Sequence, residues 1–294
     1  MATNDWRRVG GNRMASGRAR MGAFFLSFLI VAFSLGAQAA EEARSVHVRG
    51  STIFLPAMQV LAERYMAEHP GSRIVVLGGG TWWGVKTVLD RSAEIGMVSG
   101  ETIPDELTEL AEDEGLTLHR APVARFAVVP IVHPSNPVAD LTPAQLHDIY
   151  VGRVGNWKDV GGPDRPIHVV ASEDAMAGIF QVWAARIMGG VVVTASAKTV
   201  PASQIDGIVA RDPLAIGYNA LGRLGSSVKA LKVGGTAARE DAIADGRYPV
   251  VGDLSLAYVD PLPAAAKAFL DYCLGEAGRA ESGRIGAAYI GDRR

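Results

Sequence analysis

From residue 45 onward, short apolar runs alternate with segments whose apolar residues recur every three or four positions. Residues 45–48 predict a short strand and 49–52 a turn. Residues 54–67 place Leu55, Met58, Leu61, Ala62 and Tyr65 on one face, which predicts a helix stopped by His69-Pro70-Gly71. A strand over 73–77 runs into Gly78-Gly79-Gly80, and an apolar-periodic segment with Val85, Val88 and Leu89 follows to about residue 90. A third strand over 94–98 and an acidic helix over 105–114, ended by Gly115, continue the pattern. This alternation predicts an α/β layer with parallel strands.

The second half is less regular. The dense β-branched run 126–132 predicts a strand buried on both faces. Residues 142–150 predict a helix capped by Thr142, with Pro143 at its first position. Further strands are expected over 167–171, 214–218, 228–233 and 248–258, and the run 191–200 is β-prone. Helices are expected over 178–188, 203–211 and 263–274, the last ended by Gly275. No tandem repeat, low-complexity tract or long charge run interrupts the series.

The first 40 residues follow a different rule. Arg7, Arg8, Arg13, Arg18 and Arg20 precede a continuous apolar run over 21–36, and Ala37-Gln38-Ala39 fits a small-x-small cleavage site. That is the pattern of a secretory signal peptide over 1–39, with an uncleaved anchor as the competing assignment. Its removal takes away five arginines and one aspartate, leaving 24 basic and 30 acidic residues. An acidic exported chain is a poor partner for nucleic acid or anionic membrane. The single cysteine, Cys273, sits in a helical apolar pattern with Phe269, Leu270 and Leu274 and is expected to be a buried core thiol.

Candidate chemistry centres on strand-end turns. Gly78-Gly79-Gly80 between a strand and a helix offers backbone N–H groups to an anion, at the strand end where open α/β sheets bind ligands. The bland alternative is a tight turn. Gly78, Gly80 and Gly84 miss the dinucleotide spacing, and Gly84-Val85-Lys86 misses the nucleotide phosphate loop. Gly50-Ser51-Thr52 is a second such turn, whose hydroxyls also suit plain helix capping. The six histidines show no metal-ligand spacing, and no nucleophile motif is present. No metal, cofactor or catalytic residue is expected.

These turns belong to a longer series of ordered motifs. It contains Gly50-Ser51-Thr52 with Leu55-Pro56, Gly78-Gly79-Gly80, Ala93-Glu94-Ile95-Gly96-Met97 and His133-Pro134-Ser135-Asn136-Pro137. Asp148-Ile149-Tyr150-Val151-Gly152, Asn156-Trp157-Lys158-Asp159-Val160-Gly161-Gly162 and Ala215-Ile216-Gly217-Tyr218 follow in order, then Val228 to Lys232 and Tyr248-Pro249. With these the chain, over about residues 46–290, resembles the periplasmic phosphate-binding proteins of ABC transporters, within the type II solute-binding superfamily. The resemblance implies an α/β fold of two lobes joined by two crossover strands, lobe one at 45–124 plus 225–294 and lobe two at 125–224. It further implies a periplasmic, monomeric binding protein without catalytic activity, holding a small-molecule ligand in the cleft and delivering it to an inner-membrane ABC permease. The ligand contacts implied are Ser51, Thr52, Ile53, Gly80, Thr81, Trp82, Trp83, Ser99, Ser172, Glu173, Ala177, Gly178 and Ile179.

Departures from the family fall on those contacts. The family's glycine turn continues Ser-Gly-Ser-Gly, whereas this chain has Thr81-Trp82-Trp83-Gly84. A frequent arginine after Ser99 is replaced by Gly100. The family's Ser-Arg-Glu-Glu-Gly-Ser-Gly-Thr-Arg becomes Ser172-Glu173-Asp174-Ala175-Met176-Ala177-Gly178-Ile179-Phe180. Each lost charge-assisted hydrogen bond removes about 1.5–3 kcal/mol of oxyanion binding, and Glu173 adds repulsion. The expectation is a more apolar cleft that takes a partly apolar or cationic ligand, with Trp82 and Trp83 stacking and Glu173 or Asp174 as counter-charge. The alternative is a sensory or protein-interaction module that kept the fold and lost phosphate.

Overall fold

The computed structural model describes residues 45–100, 103–175 and 177–291. The expected signal peptide at 1–39 lies outside them, as does Met176. Eight strands form the path of the main sheet, in the order Arg73–Gly78, Ser45–Gly50, Ile95–Ser99, Val251–Val259, Leu118–Val132, Ala215–Ala220, His168–Ser172, Lys198–Val200. Helices Leu55–Glu68 and Thr81–Leu89 connect the first strands.

The sheet as a whole is mixed, and its first strands keep the parallel pairing expected of them. Ser45–Gly50 pairs parallel with Ile95–Ser99, and His168–Ser172 pairs parallel with both Lys198–Val200 and Ala215–Ala220. Between these parallel groups run Val251–Val259 and Leu118–Val132, antiparallel to their neighbours. Leu118–Val132 is the spine of the molecule. Its residues up to Ala127 pair with Val251–Val259, and from Val128 onward with Ala215–Ala220. One strand thus belongs to both ends of the two-lobed fold. Arg125 and Asp253 face each other across it and form an ion pair at 2.7 Å. Arg120 donates from Nε to Ser255 Oγ at 3.1 Å and from Nη2 to the Gly100 carbonyl at 2.7 Å, tying the spine to the end of Ile95–Ser99.

Apolar periodicity located the core well. Ala57, Met58, Leu61, Ala62 and Tyr65 are the buried face of Leu55–Glu68. Cys273 is fully buried beside Met58, and burial pushes its thiol pKa well above the ordinary range. The Asn156-Trp157 motif is structural: Trp157 is fully buried and donates from Nε1 to the Leu214 carbonyl at 3.0 Å. Asn156 Oδ1 caps that turn from its other side, accepting from the Lys158 N–H at 3.0 Å. Thr142 caps Pro143–Tyr150 as expected, and Gln145 completes a reciprocal box by accepting from the Thr142 N–H at 2.9 Å.

Two expected strands are corrected and one expected helix is refined. The β-prone run 191–200 contributes only Lys198–Val200. Val191 and Val192 follow two left-handed glycines, Gly189 and Gly190, and lie exposed outside any strand. The expected helix 178–188 is α-helical over Gly178–Trp183 and widens to a π turn over Ala184–Met188. The expected strand 228–233 splits into Lys229–Ala230, paired with the spine, and Lys232–Val233, paired with Asp140–Leu141. Helix Glu276–Arg284 gives no apolar period that would predict it; its buried positions include Gly278, Glu281 and Ser282.

Candidate functional site

Three carboxyl strand ends meet where the sequence placed its turns. Ser45–Gly50 ends at Gly50, whose φ of 134° is open to glycine and strained for other residues. A Cβ there would fall 2.2 Å from the Met97 carbonyl oxygen. This close approach lets the Ser51 N–H donate to that carbonyl at 2.9 Å, while the Gly80 N–H donates to the Gly50 carbonyl at 2.9 Å. Gly84 sits over the same crossing: its Cβ would lie 2.7 Å from the Arg49 carbonyl oxygen. The glycine turn therefore lets helix Thr81–Leu89 lie directly on the strand ends.

Ser51, Thr81 and Ser99 are brought together and buried here. Thr81 Oγ1 accepts from the Ser99 N–H at 3.0 Å and lies 3.3 Å from Ser99 Oγ. Ser51 Oγ accepts from the Phe54 N–H at 3.3 Å, a turn bond just ahead of helix Leu55–Glu68, whose N-cap is Phe54 and has no side-chain cap. Thr52 is exposed, and its carbonyl accepts from Arg223 Nη2 at 3.4 Å. Ile53 is half-buried and reaches the other side. A Cβ on Gly178 would fall 2.5 Å from Ser99 Oγ and 2.9 Å from Ile53 Cδ1. The start of helix Gly178–Trp183 is thus seated on Ser99 and Ile53, with Ile179 buried and Ala177 half-buried beside it.

The two tryptophans follow at the first turn of helix Thr81–Leu89. Trp82 packs against the small cluster of Val85, Val88, Leu89, Val98, Leu107 and Ala111 and donates from Nε1 to Glu106 Oε1 at 3.1 Å. Trp83 stands edge-on to it, ring centroids 5.4 Å apart, and is 58% exposed. Of the thirteen predicted residues, the structure gathers Ser51, Ile53, Gly80, Thr81, Ser99 and Gly178 at one junction.

Ser172 and Glu173 open a second space. With Tyr150, Phe180, Trp183 and Tyr218 they line a cavity of about 450 Å³, mostly apolar. Trp183 stacks on Tyr218 at 4.4 Å and 7°, and Tyr150 leans on both at 4.9 and 5.7 Å. The Ser172 N–H donates to the Tyr218 hydroxyl at 3.2 Å. Burial pushes the Tyr218 phenol up to about 12, and burial first, then Tyr218 nearby, push the Tyr150 phenol up as well. Sequence reasoning missed this cavity because its aromatic residues are scattered over three elements and carry no local motif. Among the described residues no cluster of three or more His, Cys, Asp or Glu side chains could hold a metal ion.

The geometry can be set beside known proteins. A PBP superfamily domain profile matches residues 36–277. The phosphate-binding protein PstS of Bacillus subtilis is 28% identical over 79% of this chain and 76% of its own length. A structure described as a phosphate ABC transporter substrate-binding protein with bound phosphate, from Clostridium perfringens, superposes with a TM-score of 0.73. It shares 28% identity and covers 84% of this chain and 99% of its own. An ABC-type phosphate transport receptor from Vibrio cholerae gives a TM-score of 0.72 at 27% identity, over 83% and 99% of the two chains. With motif order, sheet order and these likenesses in agreement, the chain belongs to the PBP superfamily as a member of its phosphate-binding-protein family.

Proposed function

We propose that this protein is an exported solute-binding component of an ABC-type uptake system whose cleft has turned away from inorganic phosphate. It works in the periplasm after loss of residues 1–39, as a monomer, by closing lobe two (125–224) on lobe one (45–124 with 225–294) and presenting its cargo to a membrane permease. The change of partners along Leu118–Val132, between Ala127 and Val128, supports a hinge near that boundary. Among the described residues no helix is long and apolar enough to cross a membrane.

One observation carries the altered specificity. At the helix start that meets Ser99, the chain offers Ala177, Gly178 and Ile179, and Ile179 is buried with no polar atom on its side chain. An oxyanion entering there would gain no side-chain donor from Ala177 or Ile179 to replace the water it leaves, which costs several kcal/mol. Glu173, exposed a few residues away, repels a dianion. The test is restoration. A variant combining Glu173→Arg, Ala177→Ser and Ile179→Thr, checked for fold by circular dichroism, should bind phosphate at least about tenfold more tightly than the parent in calorimetric titration. An unchanged affinity in the folded variant would remove the side chains as the cause.

A further inference from the structure

The cavity beside Ser172 and Glu173 is apolar with one exception. The rings of Tyr150, Trp183 and Tyr218 pack on one another and are buried, so they close it toward the core. Phe180, Ala184, Val191 and Val192 line the rest of a space of about 450 Å³, within the size range of small-molecule sites. The left-handed glycines Gly189 and Gly190 turn the chain just before the two valines, which stay 52% and 82% exposed. Adjacent aliphatic side chains left in water at the edge of an apolar space are surface that a ligand can cover. The exception is Glu173, the one charged side chain lining the space; no lysine, arginine or histidine does. Its backbone N–H donates to the Val200 carbonyl at 2.9 Å, while its exposed carboxylate has no hydrogen-bond or ion-pair partner among the described residues.

We infer that this cavity is a binding site for a small organic cation, an ammonium group carried on a short apolar body. The apolar body lies against Phe180, Ala184 and the two valines, and the ammonium pairs with the free Glu173 carboxylate. Because Glu173 is exposed, the cation stays at the wet edge of the site and keeps most of its water, so the cost of burying a charge is avoided. The apolar contact supplies most of the affinity, and the exposed pair supplies the sign of the charge that is accepted. An anion of the same shape meets repulsion from Glu173 with no cation on the lining to offset it. The inference stands apart from the reading of the Ser99–Gly178 junction, since neither of those residues lines this space.

Matched probes decide it. Hexylammonium, hexanol and hexanoate share an apolar chain and differ in the charge at one end. Calorimetry on the full mature chain should give saturable one-to-one binding of hexylammonium, about threefold to fivefold tighter than hexanol, with hexanoate weakest. Butylammonium, shorter by two methylenes, should bind about tenfold more weakly than hexylammonium. In Glu173→Gln, hexylammonium should fall to parity with hexanol, whose own affinity should match that for the parent. Ala184→Leu, which fills the cavity from its wall, should abolish binding of both probes while leaving the circular dichroism spectrum unchanged. Phosphate at saturating concentration should not displace hexylammonium, which keeps this result separate from the phosphate titration. The inference is overturned if wild-type protein does not bind hexylammonium, if hexanoate binds as tightly, if Glu173→Gln keeps the preference, or if Ala184→Leu leaves binding intact. The first and second outcomes need no variant.

Discussion

Ser99 shows how one side chain can be read correctly for place and incompletely for state. The motif series places it just after Ile95-Gly96-Met97; it ends the strand Ile95–Ser99, with Gly178 close enough that a single methyl would collide. What the sequence could not convey is that Thr81 occupies its N–H and lies within bonding distance of its hydroxyl, since that pairing depends on how helix Thr81–Leu89 settles on the sheet. Trp82 and Trp83 divide: adjacent residues on a helix point in different directions, and Trp82 meets Leu107 and Glu106 within its own layer while Trp83 stays exposed. At this scale the tyrosines carry a pH prediction. The Tyr218 phenol titrates at about 12 in the fold against about 10 when unfolded, so the folded state favours its neutral form. That contribution is complete below pH of about 10 and is lost as pH rises through about 12. Chemical denaturation should show stability falling across that window, and phenolate absorbance should rise in a late step separate from that of the exposed tyrosines. A single step at the ordinary phenol pKa would contradict the buried cluster.

Elements were most legible where their apolar period was undisturbed. Leu55–Glu68 and Ala264–Cys273 match their patterns to within a residue or two, while the spine was seen only from residue 126. Arg120, Pro122 and Arg125 interrupt its first half, and the pairings with Val251–Val259 and Ala288–Tyr289 identify it as strand. The run at 191–194 failed for the opposite reason: β-branched residues make a strand only where a neighbouring strand receives them. Two substitutions test how elements are seated. Gly84→Ala must push a methyl to within 3.0 Å of three backbone atoms of the first and third strands, so it should lower stability by about 1–3 kcal/mol in urea denaturation. Thr142→Ala should remove one arm of the capping box at an exposed site and cost about 1 kcal/mol, with no effect on any ligand. Equal stability of the Gly84→Ala variant and the parent would mean that the helix does not lie on the strands as described.

For the whole molecule, the fold was legible because a long ordered series of motifs is hard to produce by chance, and the ligand was not, because specificity rests on a handful of side chains at one junction. Family membership fixes the architecture and leaves the cargo open, since function belongs to the site and not to the fold. At and near that junction Ala177 and Ile179 stand where the family has hydroxyls, and Glu173 where it has a guanidinium, and each replacement acts against an oxyanion. The central claim is therefore a loss of phosphate affinity in a chain that otherwise kept its family's form. Its most direct test is calorimetric titration of the purified mature protein with inorganic phosphate near neutral pH. The account predicts no saturable binding tighter than millimolar; a micromolar or tighter site, stoichiometric with protein, would contradict it.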